Sequence, residues 1–197
     1  MERSEGVADM ARWEADSRGR LQRAALALYG ERGFEQTTVA EIARRAGLTE
    51  RTYFRHFADK REVLFWGSAA LQELVVRAVA DAPVGTAPIA AIVAALDAAA
   101  AFFQESREYS RRRQDVIDAN PALQEREIIK LATLAAAVAD ALRGRGVGEP
   151  AASIAAEAGI GVFTVAFARW IAADNRHDFA RCVHESLDAL RAVLATG

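Results

Sequence analysis

Thr38 and Glu41, followed by Gly47 and then Thr49, constrain this chain more than any other feature in it. Thr-x-x-Glu at the head of the apolar positions Val39, Ile42, Ala43 and Ala46 is a capping box. In it, hydroxyl and carboxylate satisfy each other's otherwise orphaned backbone N–H groups at a helix start. Gly47 supplies the positive φ that a tight turn out of that helix requires. Thr49 can cap a second short helix at once, running to about Phe57. Thr38 to Phe57 therefore has the grammar of a helix-turn-helix.

Charge is concentrated around this stretch. Residues 18–61 hold ten cations (Arg18, Arg20, Arg23, Arg32, Arg44, Arg45, Arg51, Arg55, Lys60, Arg61) against five acids (Glu31, Glu35, Glu41, Glu50, Asp59), a local balance of +5. The whole chain carries −2, which leaves about −7 for the remainder. Cys182 is the only cysteine, so an intrachain disulfide and a CxxC pair are both excluded. The acidic N-terminus has no apolar run of the signal-peptide kind, and the longest uncharged apolar runs fall short of the roughly 20 residues a membrane span needs. A cytoplasmic protein with no membrane partner is expected.

Apolar spacings of three and four recur along the chain, whereas no segment alternates as a strand would. The expected fold is all-α, with about nine helices. Residues 1–16 are acidic and aperiodic and read as a mobile N-terminal arm, or an irregular extension of the first helix. Leu21, Ala25, Leu28 and Tyr29 form the stripe of helix one, which Gly33 stops. Asp59 is placed to cap helix four, about 60–80. The Asp81 to Pro88 segment is the clearest break. Helices follow over about 88–106, 108–119, 121–142, 150–174 and 175–195. The expected domains are a helix-turn-helix domain over 17–65 and a regulatory and dimerisation domain over 66–197, with helix four as connector.

A recognition helix must be anchored on one side and polar on the other to enter the major groove. In helix three Tyr53 and Phe57 can pack on Ile42 and Ala43, leaving Thr49, Glu50, Arg51, Thr52, Arg55 and His56 outward. Arg51 is the candidate for base readout, because a guanidinium can bond both acceptors of a guanine edge. Thr49 and Thr52 can reach bases or phosphates, and Thr38 and Lys60 flank the groove as phosphate clamps. The DNA-binding candidates are thus Thr38, Arg44, Thr49, Arg51, Thr52, Tyr53, Arg55, His56 and Lys60, with Tyr53 open to a core role instead.

The stretch Arg18 to Phe65 resembles the DNA-binding domain of the tetracycline-repressor (TetR) family. The segments A-A-L-A-L-Y-G-E-R-G-F, T-T-V-A-E-I-A-R-R-A-G-L-T, T-Y-F-R-H-F-A-D-K and R-E-V-L-F carry the likeness in register. The resemblance implies a homodimeric repressor of a palindromic operator, with helices five to nine forming a ligand-binding and dimerisation domain. Family members often hold a phosphate-contacting Tyr where this chain has Phe54.

Helix eight is apolar on every side, and Gly159 and Gly161 sit within it. A helix apolar all round must be covered all round. One face can line the core while another meets a second copy, joined by the helix-nine stripe. The dimer candidates are Gly159, Phe179, Val183, Leu187, Leu190 and Leu194; the alternative is that both are ordinary core helices. A small hydrophobic or aromatic effector would lie among Trp66, Phe102, Phe103, Tyr109, Phe163, Phe167 and Trp170, which can also be plain core. Arg111-Arg112-Arg113 reads as a solvated face neutralised by Asp115 and Asp118.

No nucleophile–base pair, metal spacing or phosphate loop stands out, so neither enzyme nor cofactor is expected. The competing function is an all-α hydrophobic-ligand carrier or enzyme with a non-DNA-binding N-terminal appendage. Helix four is the expected lever between effector and DNA. Operator sequence, regulated genes and effector identity do not follow from the residues.

Overall fold

The computed structural model describes residues 2–103 and 107–195, and for residues 2–15 and Phe102 the backbone alone. Among the described residues there are nine α-helices and no strand. They are α1 (Glu2–Arg32), α2 (Val39–Arg45), α3 (Glu50–His56), α4 (Ser68–Ala80), α5 (Pro88–Phe103), α6 (Arg107–Asp118), α7 (Pro121–Gly144), α8 (Ala151–Ile171) and α9 (Phe179–Ala195). The all-α expectation is met.

Of the two readings of residues 1–16, arm or extension of the first helix, the extension agrees with α1, which is helical from Glu2. One expected boundary needs correction. Helix four does not begin near Lys60. Asp59 accepts hydrogen bonds from the backbone N–H groups of Arg61 (2.7 Å) and Glu62 (3.2 Å), and this folds a tight turn followed by a 3-10 turn, Glu62–Leu64. That detour buries Val63, Leu64 and Phe65 together, and α4 starts only after Gly67. The expected end of helix five at Ser106 lies outside the described residues.

The chain divides into two compact units. The smaller comprises Met1–Trp66 and Arg112–Gln124, so the end of α6 and the start of α7 belong with the helix-turn-helix. A contiguous 17–65 domain omits that second segment. The larger unit comprises Gly67–Arg111 and Glu125–Gly197. The chain therefore crosses between units three times, at Trp66, within α6 and within α7.

The smaller unit forms around Leu21, Ala25, Leu28 and Tyr29 of α1, Ile42 and Ala43 of α2, and Tyr53 and Phe57, all buried. Each large apolar side chain fully removed from water contributes about 1.5–3 kcal/mol. The larger unit is built on one cluster drawn from α4, α5, α7, α8 and α9, including Val79, Leu96, Val138, Leu142, Phe163, Trp170 and Val183.

In the larger unit α5 and α8 approach closely. A Cβ built on Gly159 would lie 2.5 Å from Ile92 Cγ2, and Ile92 is itself buried. The glycine thus serves an approach inside the chain rather than one to a second copy. Phe179, Val183 and Leu187 are likewise buried in this unit's core, so these four dimer candidates are corrected to core positions. Leu190 is half-buried and packs at the core's edge, while Leu194 is exposed.

Helix α8 is long and apolar enough to cross a membrane by length and composition, which the charge-free runs alone did not reveal. Seven of its residues, from Ala152 to Trp170, are buried in the core. Its outward side presents Ile154, Gly161, Val165 and Ala168, spaced as one helical stripe, and α9 adds exposed Val193 and Leu194.

Candidate nucleic-acid interface

The capping box forms in full. Thr38 N–H donates to Glu41 Oε2 at 2.9 Å, and Glu41 N–H donates to Thr38 Oγ1 at 3.3 Å. Arg32 adds a hydrogen bond from Nη1 to the same carboxylate at 2.8 Å. The Thr38 N–H, the Thr38 hydroxyl and Arg32 together hold the Glu41 carboxyl below its ordinary value. Thr49 caps α3, its hydroxyl accepting from Thr52 N–H at 3.2 Å.

The turn between α2 and α3 depends on a contact the sequence did not signal. Arg20 reaches from α1 and donates from Nη2 to the carbonyls of Ala46 and Gly47, closing the C-terminal end of α2. Gly47 has φ +66°, and a Cβ there would sit 2.7 Å from Arg20 Nη2. Position 47 favours glycine through its backbone conformation, whereas the guanidinium is the end of a flexible side chain and can move aside.

Two phenols fix the chain where it leaves α3. Tyr53 donates its hydroxyl hydrogen to the Asp59 carbonyl at 3.1 Å, and Tyr29 donates to the Lys60 carbonyl at 2.6 Å. Burial pushes both phenols well above the usual tyrosine range, so they remain donors at every physiological pH. Tyr53 is completely buried and is therefore a core residue, not a DNA contact. The apolar anchoring of α3 through Tyr53 and Phe57 is as expected.

Lys60 is also more occupied than expected. Its ammonium donates to the carbonyls of Phe34 (3.0 Å) and Glu35 (3.4 Å) and sits 4.1 Å from the Phe34 ring centroid. It ties the end of the motif back to the loop after α1, and any phosphate contact competes with that tie. His56 is half-buried, its Nδ1 accepting from Arg18 Nε at 3.2 Å, so it helps to seat the end of α3 on α1.

Other cations of the +5 cluster are paired. Arg45 makes a bidentate pair with Glu31 at 2.5 and 2.6 Å, and Arg61 pairs with Asp59 at 2.7 Å. Burial raises the Asp59 carboxyl, but hydrogen bonds from the Arg61 side chain and from the N–H groups of Arg61 and Glu62 outweigh it and hold it below its ordinary value. Arg44, Arg51 and Arg55 stand exposed, as do Thr49 and Phe54. The outer face of α3 thus carries two guanidiniums and one aromatic ring on a helix held by α1, α2 and the turn after it.

In the larger unit Phe103, Phe163, Phe167, Trp170 and Phe179 form one ring cluster. Phe103 lies 5.0 Å from Phe179 and 5.8–6.1 Å from the other three, centroid to centroid. Four of the seven pocket candidates are thereby brought together, with Phe179 as a fifth ring that its place in the α9 stripe had assigned elsewhere. Trp66 belongs to the smaller unit and is 45% exposed. Phe102's side chain lies outside the described residues, and Tyr109 is half-buried on α6.

The Arg111-Arg112-Arg113 run is not simply a solvated face. Arg111 pairs with Glu108 at 2.5 Å, and Arg113 donates to the Leu64 carbonyl at 2.7 Å with its guanidinium over the Phe65 ring. Asp118 accepts from Gln114 at 2.9 Å.

Known proteins carry the same pattern. Residues 21–65 match the bacterial regulatory proteins of the tetR family, and residues 86–195, more than half of the chain, match the MftR C-terminal domain. The chain is 39% identical over 82 residues to the HTH-type transcriptional regulator TcmR of Streptomyces glaucescens, a match covering 42% of this chain and 36% of TcmR. It thus spans little more than a third of that relative's length. Among solved structures, SmeT, the repressor of a Stenotrophomonas maltophilia multidrug efflux pump, shares the fold with a TM-score of 0.58 at 20% identity, over 90% of this chain and 91% of SmeT. Thermus thermophilus FadR, a repressor in complex with lauroyl-CoA, gives 0.51 at 24% identity, over 88% and 92%. With one family matching its helix-turn-helix and another matching most of its C-terminal helices, the chain belongs to the TetR family of bacterial regulatory proteins.

Proposed function

We propose that this protein is a transcriptional repressor that binds a palindromic operator as a homodimer and releases it on taking up a small hydrophobic effector. The observation that carries the DNA-binding part is the outer face of α3. Arg51 and Arg55 are exposed there, while Tyr53, Phe57, Arg20 and the two caps fix the helix from behind. A helix so held can present a guanidinium to a guanine edge, and Arg44 near the end of α2 supplies a phosphate contact.

One such helix covers half a site. The outward stripe Ile154, Gly161, Val165 and Ala168 on α8, with Leu190, Val193 and Leu194 on α9, is the face we assign to the second copy. Pairing of α8 and α9 with their equivalents makes a four-helix interface. An inverted repeat read in successive major grooves requires two copies of α3 roughly 34–36 Å apart.

The effector reading rests on the rings of Phe103, Phe163, Phe167, Trp170 and Phe179. SmeT in complex with triclosan and FadR in complex with lauroyl-CoA, whose acyl chain is apolar, are similar in fold. The signal has three covalent routes, the link at Trp66 into α4, α6 and α7, because α6 and α7 each have one end in either unit. An effector that binds one arrangement of these helices more tightly shifts the dimer to a spacing the operator no longer matches. Such a protein works in the cytoplasm, where the chromosome is.

The test is selection of bound fragments from random DNA at rising salt. Enrichment of an inverted repeat, with affinity falling steeply as salt rises through counterion release, supports the repressor. Equal retention of all fragments contradicts it and favours the carrier.

A further inference from the structure

On the outer face of α3, one side chain does not fit a helix that reads only by charge and hydrogen bonds. Phe54 is 55% exposed, between Arg51 and Arg55, on a helix whose other exposed residues are polar. A scattered surface hydrophobe needs no explanation in general. Here, however, the neighbouring residue in sequence is an equally large aromatic that is completely buried, so the helix had a choice of phase and exposes this ring on its functional side.

The ring is also braced. Phe54 packs edge-on against Tyr53, with centroids 5.6 Å apart and planes at 80°, and Tyr53 is pinned by its hydrogen bond to Asp59. Phe54 lies three positions after Arg51, so both project from one side of the helix. Phenylalanine has no donor for a phosphate oxygen. What the major groove offers an apolar side chain is the 5-methyl group of thymine.

Resting on the repressor reading, we infer that Phe54 is a specificity-determining residue that packs on a thymine 5-methyl group in each half-site, beside the guanine read by Arg51. Three residues advance a helix by about 4.5 Å, and one base-pair step is about 3.4 Å. The thymine therefore lies within one or two base pairs of that guanine, on either strand.

The experiment uses the full-length protein and the inverted repeat enriched from random DNA. Each thymine is replaced symmetrically by deoxyuridine, which removes the methyl group alone, and affinity is measured for the wild type and Phe54→Ala. One methyl buried per half-site predicts about a fourfold loss per half-site for the wild type at one symmetric position. Phe54→Ala should bind thymine and deoxyuridine operators equally there, and Phe54→Tyr, which keeps the ring, should retain the preference. If every deoxyuridine operator binds the wild type as well as its parent, or if Phe54→Ala keeps the preference, the inference is overturned while the repressor reading stands. If no sequence is enriched at all, both fall together.

Discussion

Arg113 Nε donates to the Leu64 carbonyl at 2.7 Å, and the guanidinium carbon lies 5.0 Å from the centroid of the adjacent Phe65 ring. A residue of α6 thereby satisfies the backbone where the helix-turn-helix segment ends. Arg113→Ala should lower the unfolding free energy of the smaller unit by about 1.5–3 kcal/mol, the range for a hydrogen bond from a charged group. Arg51→Ala, at an exposed position of α3 in the same unit, should stay within about 0.5 kcal/mol. Urea denaturation followed by circular dichroism compares the two, and equal losses would remove the special role of Arg113.

Gly159 and Gly161 look alike in the sequence but differ in surroundings. The added carbon of Gly159→Ala meets Ile92 at 2.5 Å, whereas nothing lies within 4 Å of the one added at Gly161. Overpacking costs about 1–3 kcal/mol, against roughly 1 kcal/mol gained from alanine's better helix propensity. Thermal melts should therefore show Gly159→Ala less stable than Gly161→Ala, and the reverse order would mean that α5 and α8 do not approach as described.

The proposed dimer face makes a different demand. Ile154→Glu with Val165→Glu places charge on the outward stripe of α8 without touching the buried cluster, so it should yield a folded monomer in sedimentation equilibrium. It should also lose binding to a two-half-site operator. A variant that remains dimeric rules this stripe out.

How much of the molecule is legible in the sequence depends on whether the controlling contact is local. The capping box, Gly47 and the inner face of α2 are written within a few residues of one another, and all form as expected. Arg20 closing α2, Lys60 held by the Phe34 and Glu35 carbonyls, and Ile92 filling the space at Gly159 are contacts between distant parts of the chain, which periodicity does not encode. Asp59 is a capping residue, as its type suggests, but of a tight turn rather than of α4, since an aspartate that accepts N–H groups can start either. The stripe on α9 is sound as a pattern. Its assignment to a partner fails at Phe179, Val183 and Leu187, which lie in the chain's own core, because an apolar stripe does not say whether it faces that core or another chain.

Acid should act on the motif through Glu41. Its carboxyl lies below the ordinary value of 4.5, chiefly through the Thr38 N–H and hydroxyl. A depressed folded value means that the stabilisation is present above 4.5 and is lost as pH falls through the folded value. Glu41→Gln keeps an acceptor but cannot titrate. Wild-type melting temperature should therefore fall more steeply below about pH 4.5 than that of Glu41→Gln, and parallel curves would show that the capping box does not contribute to acid sensitivity.

The central claim is that the outer face of α3 reads DNA, with Arg51 bonded to a guanine. The direct measurement is the ratio of affinities for the enriched operator and for the same operator with that guanine replaced, in wild type, Arg51→Ala and Arg44→Ala. A bidentate contact is worth about 1–3 kcal/mol of discrimination, so Arg51→Ala should lower the ratio roughly tenfold to a hundredfold. Arg44→Ala should weaken both DNAs alike and leave the ratio intact. A ratio unchanged in Arg51→Ala at every guanine tested would contradict the account.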